Sequence, residues 1–193
     1  MLAAGFADTA LGPQAVFRTL LAALAAPGSL HELEAELPPP PPGLGRGAYA
    51  AVLALVDYEA PLWLAPEYAD TAEALRFQTG ATLVDDPARA AFALARDPVR
   101  LPALADFAQG SDIYPDRSTT LLLAVESLTG EGAWRLTGPG IRDGARLGVR
   151  GLPFDFVGQW ADNRERFPRG VDVFLFAGPV VVGLARTTRI EEA

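Results

Sequence analysis

The sequence contains no lysine and no cysteine, and His31 is its only histidine. Without lysine the chain has no side-chain amine for a Schiff base. Without cysteine it has no thiolate, no disulfide and no cysteine ligand for zinc or an iron–sulfur cluster. A single histidine also excludes zinc sites built from several imidazoles, and it leaves one side chain whose ordinary pKa lies near neutrality. These absences exclude several classes of covalent and metal-dependent enzyme.

Long apolar runs and clusters of positive charge are also missing. No stretch approaches the 18 apolar residues that indicate a membrane helix, and residues 1–10 carry Asp8 but no basic residue, unlike a secretory signal. All 16 basic residues are arginines, and the 24 acidic residues bring the formal net charge to −8. A negative field repels phosphate backbones and anionic membrane surfaces. The sequence therefore predicts a cytoplasmic protein that binds neither nucleic acid nor membranes.

The composition that remains is typical of a soluble globular fold, with 50% apolar and 21% charged residues. Apolar residues at helical spacing predict helices over residues 13–26, 48–56, 71–76 and 153–167. In the first helix the residues predicted to face the core are Phe17, Leu20, Leu21 and Leu24. In the last helix they are Phe154, Val157, Trp160 and Ala161.

Short apolar or alternating runs predict strands over residues 30–34, 61–64, 91–95, 119–128, 133–137, 147–149, 171–176 and 180–185. The last two flank Ala177-Gly178-Pro179, which indicates a hairpin. Strands interrupted by helices are typical of an α/β fold, here a single domain over residues 1–193 with a mixed sheet flanked by helices. Five prolines over residues 38–42 favour a stiff surface connector over a recognition segment for an aromatic groove.

Two short segments are candidate anion or interface contacts. Gly138-Pro139-Gly140 follows a predicted strand, and its glycines let backbone N–H groups turn toward an anion, although the same tripeptide is typical of a plain tight turn. Arg186-Thr187-Thr188 follows the last predicted strand. A guanidinium beside two hydroxyls can hold a phosphate or carboxylate, or it can fasten the chain to an internal or partner carboxylate. If the contact is with a partner, Arg186→Ala should weaken assembly more than it weakens the fold.

Other polar residues favour structural interpretations. Asp112 and Asp116 lie in a predicted loop, where aspartate commonly serves turns and caps, and Asp57 with Glu59 follows a helix in the same way. His31 has Glu32 and Glu34 nearby in a predicted exposed strand, with no pattern that indicates a catalytic triad. The residues alone define no catalytic, cofactor or metal site.

The order of short motifs along the chain carries more information than any single motif. They are Phe17-Arg18 with Pro27-Gly28, then Asp57, Pro61 and Trp63, then LRFQT at 75–79, GSDIYP at 110–115, LTGPGI at 136–141, FPRGVD at 167–172 and RTT at 186–188. This series resembles the PhnH family, a subunit of the bacterial carbon–phosphorus lyase system that uses phosphonates. The resemblance spans nearly the whole chain.

The resemblance implies a fold similar to the large domain of pyridoxal-phosphate-dependent transferases, without their cofactor site. It also implies a homodimer that joins the G, I and J subunits in a core complex. That complex attaches a phosphonate to the ribose of ATP and displaces adenine. Because the sequence offers few catalytic side chains, we expect this chain to be a non-catalytic subunit of the complex. The alternative is a nucleotide- or phosphonate-binding module that acts outside such a complex and uses Gly138, Gly140 and Arg186.

Two residues depart from the pattern of the family. Gln78 stands where relatives often have histidine, which argues against a required proton transfer at that position. Ala185 stands where proline often precedes the Arg-Thr-Thr segment.

Overall fold

The computed structural model describes residues 4–33 and 36–192. Its helices are α1 Leu11–Ala25, α2 Arg46–Leu55, α3 Ala72–Thr79 and α4 Phe156–Glu165. Its strands are β1 His31–Glu32, β2 Leu62–Leu64, β3 Leu83–Val84, β4 Phe92–Ala95, β5 Thr120–Ala124, β6 Ser127–Thr137, β7 Ala145–Arg150, β8 Asp172–Ala177, β9 Val180–Leu184 and β10 Arg189–Glu192.

The larger sheet has seven strands in the order β1-β9-β8-β5-β4-β2-β3. Strands β8, β5, β4, β2 and β3 run parallel, whereas β9 pairs antiparallel with β8 and β1 pairs antiparallel with β9. The prediction of a mixed sheet flanked by helices is therefore confirmed. The predicted hairpin around Gly178 is also confirmed, because β8 and β9 pair directly on either side of it.

The smaller sheet is antiparallel, in the order β10-β6-β7. Its strands β6 and β7 pair in two stretches, and their register shifts between Thr129 and Trp134. The sequence predicted one strand over residues 119–128, and that prediction is wrong. The chain leaves β5 at Ala124 and enters a different sheet at Ser127, so a single apolar run supplies two sheets.

Side chains of β5 alternate between two apolar cores, as the two-residue period of a strand requires. Leu122 packs with α1, α2 and α3, whereas Leu121 and Leu123 pack with α4 and the smaller sheet. On the second side, Trp160 lies against Phe156 with a centroid distance of 6.0 Å. The larger sheet is thus covered on both faces, which explains its near-continuous apolar strands.

Helix α1 lies directly on β9. A Cβ at Gly183 would meet the carbonyl of Ala23 at 2.6 Å, so only glycine allows the helix backbone to come this close. The face of α1 predicted from the sequence is partly wrong, because Phe17 and Leu21 are exposed and the buried residues are Val16, Leu20 and Ala23. The exposed face with Phe17 and Leu21 and the buried face with Val16, Leu20 and Ala23 are both apolar. Periodicity alone therefore could not identify the face of α1 that contacts the sheet.

Other differences from the predictions concern element ends and exposure. Helix α3 continues past Arg76 to Thr79, and α4 buries Phe156, Trp160 and Asn163 while Phe154 is fully exposed. The short strands β3 and β10 were not predicted. Strand β1 is shorter than predicted, and Glu34 of that prediction lies outside the described residues.

The proline-rich segment also differs from its prediction. Pro38 and Pro41 are buried together with Leu37 and Leu44, so the segment packs partly against the core and is more than a surface connector.

Within the described residues, no helix combines the length and the apolar character needed to cross a bilayer.

Candidate functional site

Arg186 connects three separate segments of the chain. It follows β9, and its guanidinium meets the carboxylate of Asp172, the first residue of β8. Nε lies 3.2 Å from both carboxylate oxygens, and Nη2 also donates to Oδ2. Nη1 donates to the carbonyls of Pro115 at 2.9 Å and Pro168 at 3.2 Å, and Nη2 donates to Ser118 Oγ at 2.7 Å.

These contacts engage all five N–H groups of the Arg186 guanidinium. The side chains of Arg186 and Asp172 are only 14% and 21% exposed, so water screens the pair weakly. The backbone N–H of Arg186 adds a further bond to Asp172 Oδ1 at 2.7 Å. An anion would therefore have to displace an existing partner before it could bind this guanidinium.

The two threonines that follow Arg186 have different environments. Thr188 is fully buried, and its carbonyl accepts a hydrogen bond of 2.8 Å from Trp160 Nε1 on α4. Thr187 is half-buried and lies with Arg186 and Phe167 beside a cavity of about 390 Å³. The segment therefore fastens the end of the larger sheet to α4.

Gly138-Pro139-Gly140 forms the turn between β6 and β7, closed by a hydrogen bond from Ile141 N to Gly138 O at 3.1 Å. Gly138 has a φ of +136°, and a Cβ there would lie 3.2 Å from the carbonyl oxygen of Thr187. Gly140 has a φ of +83°, and a Cβ there would overlap the carbonyl oxygen of Ala25. The structure thus places this turn beside Thr187 and beside the end of α1.

Asp112 and Asp116 lie in the loop before β5. Asp112 pairs with Arg169 at 3.3 Å, and both side chains are largely exposed. Exposed pairs of this kind contribute little to stability. The same loop stacks the Arg117 guanidinium over the Tyr114 ring at 4.1 Å.

His31 has a partner that sequence analysis missed. Its Nε2 lies 2.7 Å from Ser29 Oγ, which in turn donates to the carbonyl of Ala26 at 2.5 Å. Because the single hydroxyl proton of Ser29 goes to Ala26, the imidazole is the donor toward Ser29. No described carboxylate joins the pair through a hydrogen bond, so the arrangement caps the end of α1 instead of activating a nucleophile. The i, i+2 spacing on an extended segment was the signal that could have indicated this contact.

Sequence analysis also missed a polar site at the C-terminal edge of the parallel strands. Glu67 follows β2, and its Oε1 accepts hydrogen bonds from the backbone N–H groups of Arg96 at 2.7 Å and Asp97 at 2.9 Å, just after β4. The neighbouring Tyr68 is buried, and burial raises the pKa of its phenol to about 12. These partners are about thirty residues apart, so no local pattern indicated them.

Over residues 4–33 and 36–192, no group of three or more histidine, aspartate or glutamate side chains is arranged to hold a metal ion. The polar side chains of Arg186, Asp172 and Asn163 each hold segments of this chain together. The class defined by fold and site is therefore an α/β protein whose buried polar contacts serve its architecture.

Comparison with known proteins assigns the family. The family model described as "Bacterial phosphonate metabolism protein (PhnH)" matches residues 4–191, and the chain belongs to this family. A Rhizobium meliloti (strain 1021) protein named "Alpha-D-ribose 1-methylphosphonate 5-triphosphate synthase subunit PhnH" is 39% identical over 188 residues, which cover 96% of this chain and 94% of that protein. A Stutzerimonas stutzeri protein named "Putative C-P lyase subunit protein HtxG" is 40% identical over 82 residues, 42% of each chain. The resemblance seen in the sequence motifs is thereby confirmed.

Proposed function

We propose that the chain is a subunit of the carbon–phosphorus lyase core complex in bacterial phosphonate catabolism. In that role it supports the transfer of a phosphonate to the ribose of ATP with loss of adenine. The observation that carries the proposal is the 39% identity to a synthase subunit over nearly the full length of both chains. Its partners are a second copy of itself and the G, I and J subunits, and its location is the cytoplasm.

The chain acts in this complex without supplying catalytic groups. Three observations support this part of the proposal. The Arg186 guanidinium has all of its N–H groups engaged within the chain, and Asp112 is paired on the surface. The described residues also provide no metal-binding group of acidic or histidine side chains. Binding, orientation and assembly are then its contributions to the reaction.

The proposed fold is one domain over residues 1–193, similar to the large domain of pyridoxal-phosphate-dependent transferases. The seven-stranded sheet supports this similarity, because five neighbouring strands are parallel and the antiparallel strand β9 lies between them and the edge strand β1. Because the sequence has no lysine, the chain cannot form the internal aldimine of those enzymes. We therefore propose the fold without a pyridoxal-phosphate site.

Growth on methylphosphonate as the sole phosphorus source tests the proposed function. A strain that lacks the gene should fail to grow on methylphosphonate and should grow normally on inorganic phosphate. A plasmid copy of the gene should restore growth. Affinity-tagged chain expressed with the G, I and J subunits should copurify with them in fixed stoichiometry. Unimpaired growth of the deletion strain on methylphosphonate would overturn the proposal.

A binding module for a nucleotide or phosphonate is the second candidate. The contact of the Gly138 turn with Thr187 and Thr188 favours it, because it brings the two predicted anion-binding segments together. Calorimetric titration of the purified chain with ATP and with methylphosphonate tests this function. Heat on addition of either ligand would support it, and no heat at millimolar ligand would reject it for the isolated chain.

A further inference from the structure

The run of prolines over residues 38–42 has a buried side and an exposed side. Pro38 and Pro41 are buried, whereas Pro39 and Pro42 are exposed. A polyproline II helix has three residues per turn, so residues three apart in sequence lie on the same side of it. The burial pattern therefore fits a polyproline II segment that packs one side on the core. We refer to the exposed pair, Pro39 and Pro42, as the proline ridge.

A turn and an arginine contact hold the C-terminal end of this segment in place. The backbone N–H of Leu44 donates to the carbonyl of Pro41 at 3.2 Å, and Gly43 has a φ of +85°. Proline and glycine at the two central positions fit a type II turn. Arg96 donates from Nη1 to the carbonyl of Gly43 at 3.3 Å. The proline ridge is therefore ordered before a partner binds, which lowers the entropy cost of binding.

The chemistry of the proline ridge defines the kind of surface that fits it. Proline has no backbone N–H, so the ridge offers apolar rings and carbonyl acceptors but no donor. No hydrogen bond between described residues engages the carbonyl groups of Pro39 or Pro42. Polyproline II segments bind in grooves lined by aromatic side chains, and tryptophan and tyrosine also supply an N–H or O–H donor. A groove that presents tryptophan or tyrosine therefore satisfies both the rings and the carbonyls of the ridge.

Two exposed charges of opposite sign flank the run of prolines. Glu36 precedes it, and Arg46 follows it as the first residue of α2. Neither side chain has an ion-pair partner among the described residues. A complementary groove carries a cation near the Glu36 end and a carboxylate near the Arg46 end. Because a run of identical residues gives no direction of its own, these two charges set the direction in which the segment binds.

We propose that the proline ridge docks in an aromatic-lined groove on another subunit of the complex, with Glu36 and Arg46 paired to opposite charges at the two ends of that groove. A small molecule is a poor fit, because small-molecule sites are concave and the ridge is an exposed, convex surface. The choice of a subunit of the complex as the partner rests on the proposed function. The chemistry of the groove rests on the proline segment alone.

The affinity of the full-length chain for the purified complex of the G, I and J subunits, measured by surface plasmon resonance, tests the proposal. Replacing both ridge residues, Pro39→Ser with Pro42→Ser, should weaken binding at least about tenfold, because the rings that fill the groove are lost. Both residues are exposed, so the variant should fold, and its thermal unfolding checks this. Pro66→Ser with Pro179→Ser is the matched control at exposed prolines outside the run and should leave the affinity unchanged.

The charges and the chemistry of the groove are tested separately. Arg46→Glu should weaken binding and reduce its dependence on salt concentration. Gly45 has a φ of −73°, and a Cβ there has no atom within 4 Å, so the photoreactive residue benzoylphenylalanine fits at this position. Irradiation of the assembled complex should cross-link it to a partner peptide that contains tryptophan or tyrosine.

Unchanged affinity of the variant with both ridge residues replaced would overturn the proposal while the proposed function stands. A cross-link only to a partner segment without aromatic residues would do the same. If the wild-type chain does not bind the G, I and J subunits at all, both the proposed function and the docking of the proline ridge are wrong. The failure of this proposal and the failure of the proposed function are thus distinguishable.

Discussion

Asp172 and Arg186 meet across the open end of the β8–β9 hairpin, where Asp172 lies one residue before Val173 and Arg186 lies two residues after its partner Leu184. The same guanidinium reaches the loop before β5 through Pro115 and Ser118. One side chain therefore fixes the relative positions of three segments that sequence analysis had treated as separate motifs.

Arg186→Ala should lower the free energy of unfolding by about 3–5 kcal/mol, because it leaves the poorly exposed carboxylate of Asp172 without its partner. Arg189→Ala is a matched control three residues along, since Arg189 is more than half exposed and its ion pair with Glu191 spans 4.0 Å. That control should change stability by less than about 0.5 kcal/mol. Urea unfolding followed by tryptophan fluorescence measures both. Normal stability of Arg186→Ala combined with lost copurification would instead support the interface hypothesis made from the sequence.

Gly140→Ala should destabilise the protein more than Gly43→Ala. Both glycines have a φ near +85°, so backbone strain should lower the free energy of unfolding by about 1–2 kcal/mol in either variant. A Cβ at Gly43 has no atom within 4 Å, whereas one at Gly140 overlaps the carbonyl oxygen of Ala25 and should cost about 1–3 kcal/mol more. Thermal unfolding of the two variants compares them directly. Equal losses would mean that the turn moves away from α1 without penalty.

Two adjacent leucines of α1 provide a test of which helix face is buried. Leu20 is fully buried and Leu21 is 57% exposed, so Leu20→Ala should cost about 2–5 kcal/mol and Leu21→Ala less than about 0.5 kcal/mol. Chemical denaturation of the two variants under the same conditions is the measurement. A large loss for Leu21→Ala in a monomer would contradict the packing of α1 described above.

The stability of the protein should fall as the pH rises from about 10 to about 12. The pKa of Tyr68 is raised to about 12 by burial, so in this range the unfolded chain loses the phenol proton while the folded chain keeps it. Ionisation then favours the unfolded state, and the stability present below pH 10 is lost as the pH passes the folded pKa. Tyr68→Phe should make the alkaline limb of the stability curve shallower.

The same substitution can be compared at neutral pH with Tyr49→Phe. The Tyr68 hydroxyl has no partner, so removing it should change stability by less than about 1 kcal/mol. The Tyr49 hydroxyl donates to the carbonyl of Ala4 at 2.9 Å, and its loss should cost about 1 kcal/mol. A steeper alkaline limb in Tyr68→Phe than in wild type would contradict the assigned pKa.

Helices and strands were predicted correctly where the spacing of apolar residues within one short segment was sufficient to define them. The β8–β9 hairpin follows from two apolar runs around Gly178, and α2 follows from its apolar spacing. The break between β5 and β6 was missed because Val125 and Glu126 continue an apolar, alternating run, and only tertiary pairing sends the two halves to different sheets.

The candidate site was less predictable, because its contacts join distant residues. Arg186 was identified as a bidentate cation, yet its partners Pro115 and Ser118 are 71 and 68 residues away. The contact between Glu67 and the end of β4 spans about thirty residues. The sequence shows which polar residues can make such contacts. The order of strands in the sheet determines which of these residues lie close together.

The position of Arg186 in the chain also sets an order of assembly. During synthesis, the loop that carries Pro115 and Ser118 and the segment that carries Pro168 and Asp172 are both made before Arg186. Until that residue is available, Asp172 lacks its counter-ion and the two segments are not tied together. Bringing Arg186 to the loop that carries Pro115 and Ser118 costs chain entropy, and this cost is offset only when the full set of hydrogen bonds has formed. The contacts of Arg186 therefore form late in folding. A nascent chain that stops before Arg186 should be degraded by proteases faster than the full-length chain.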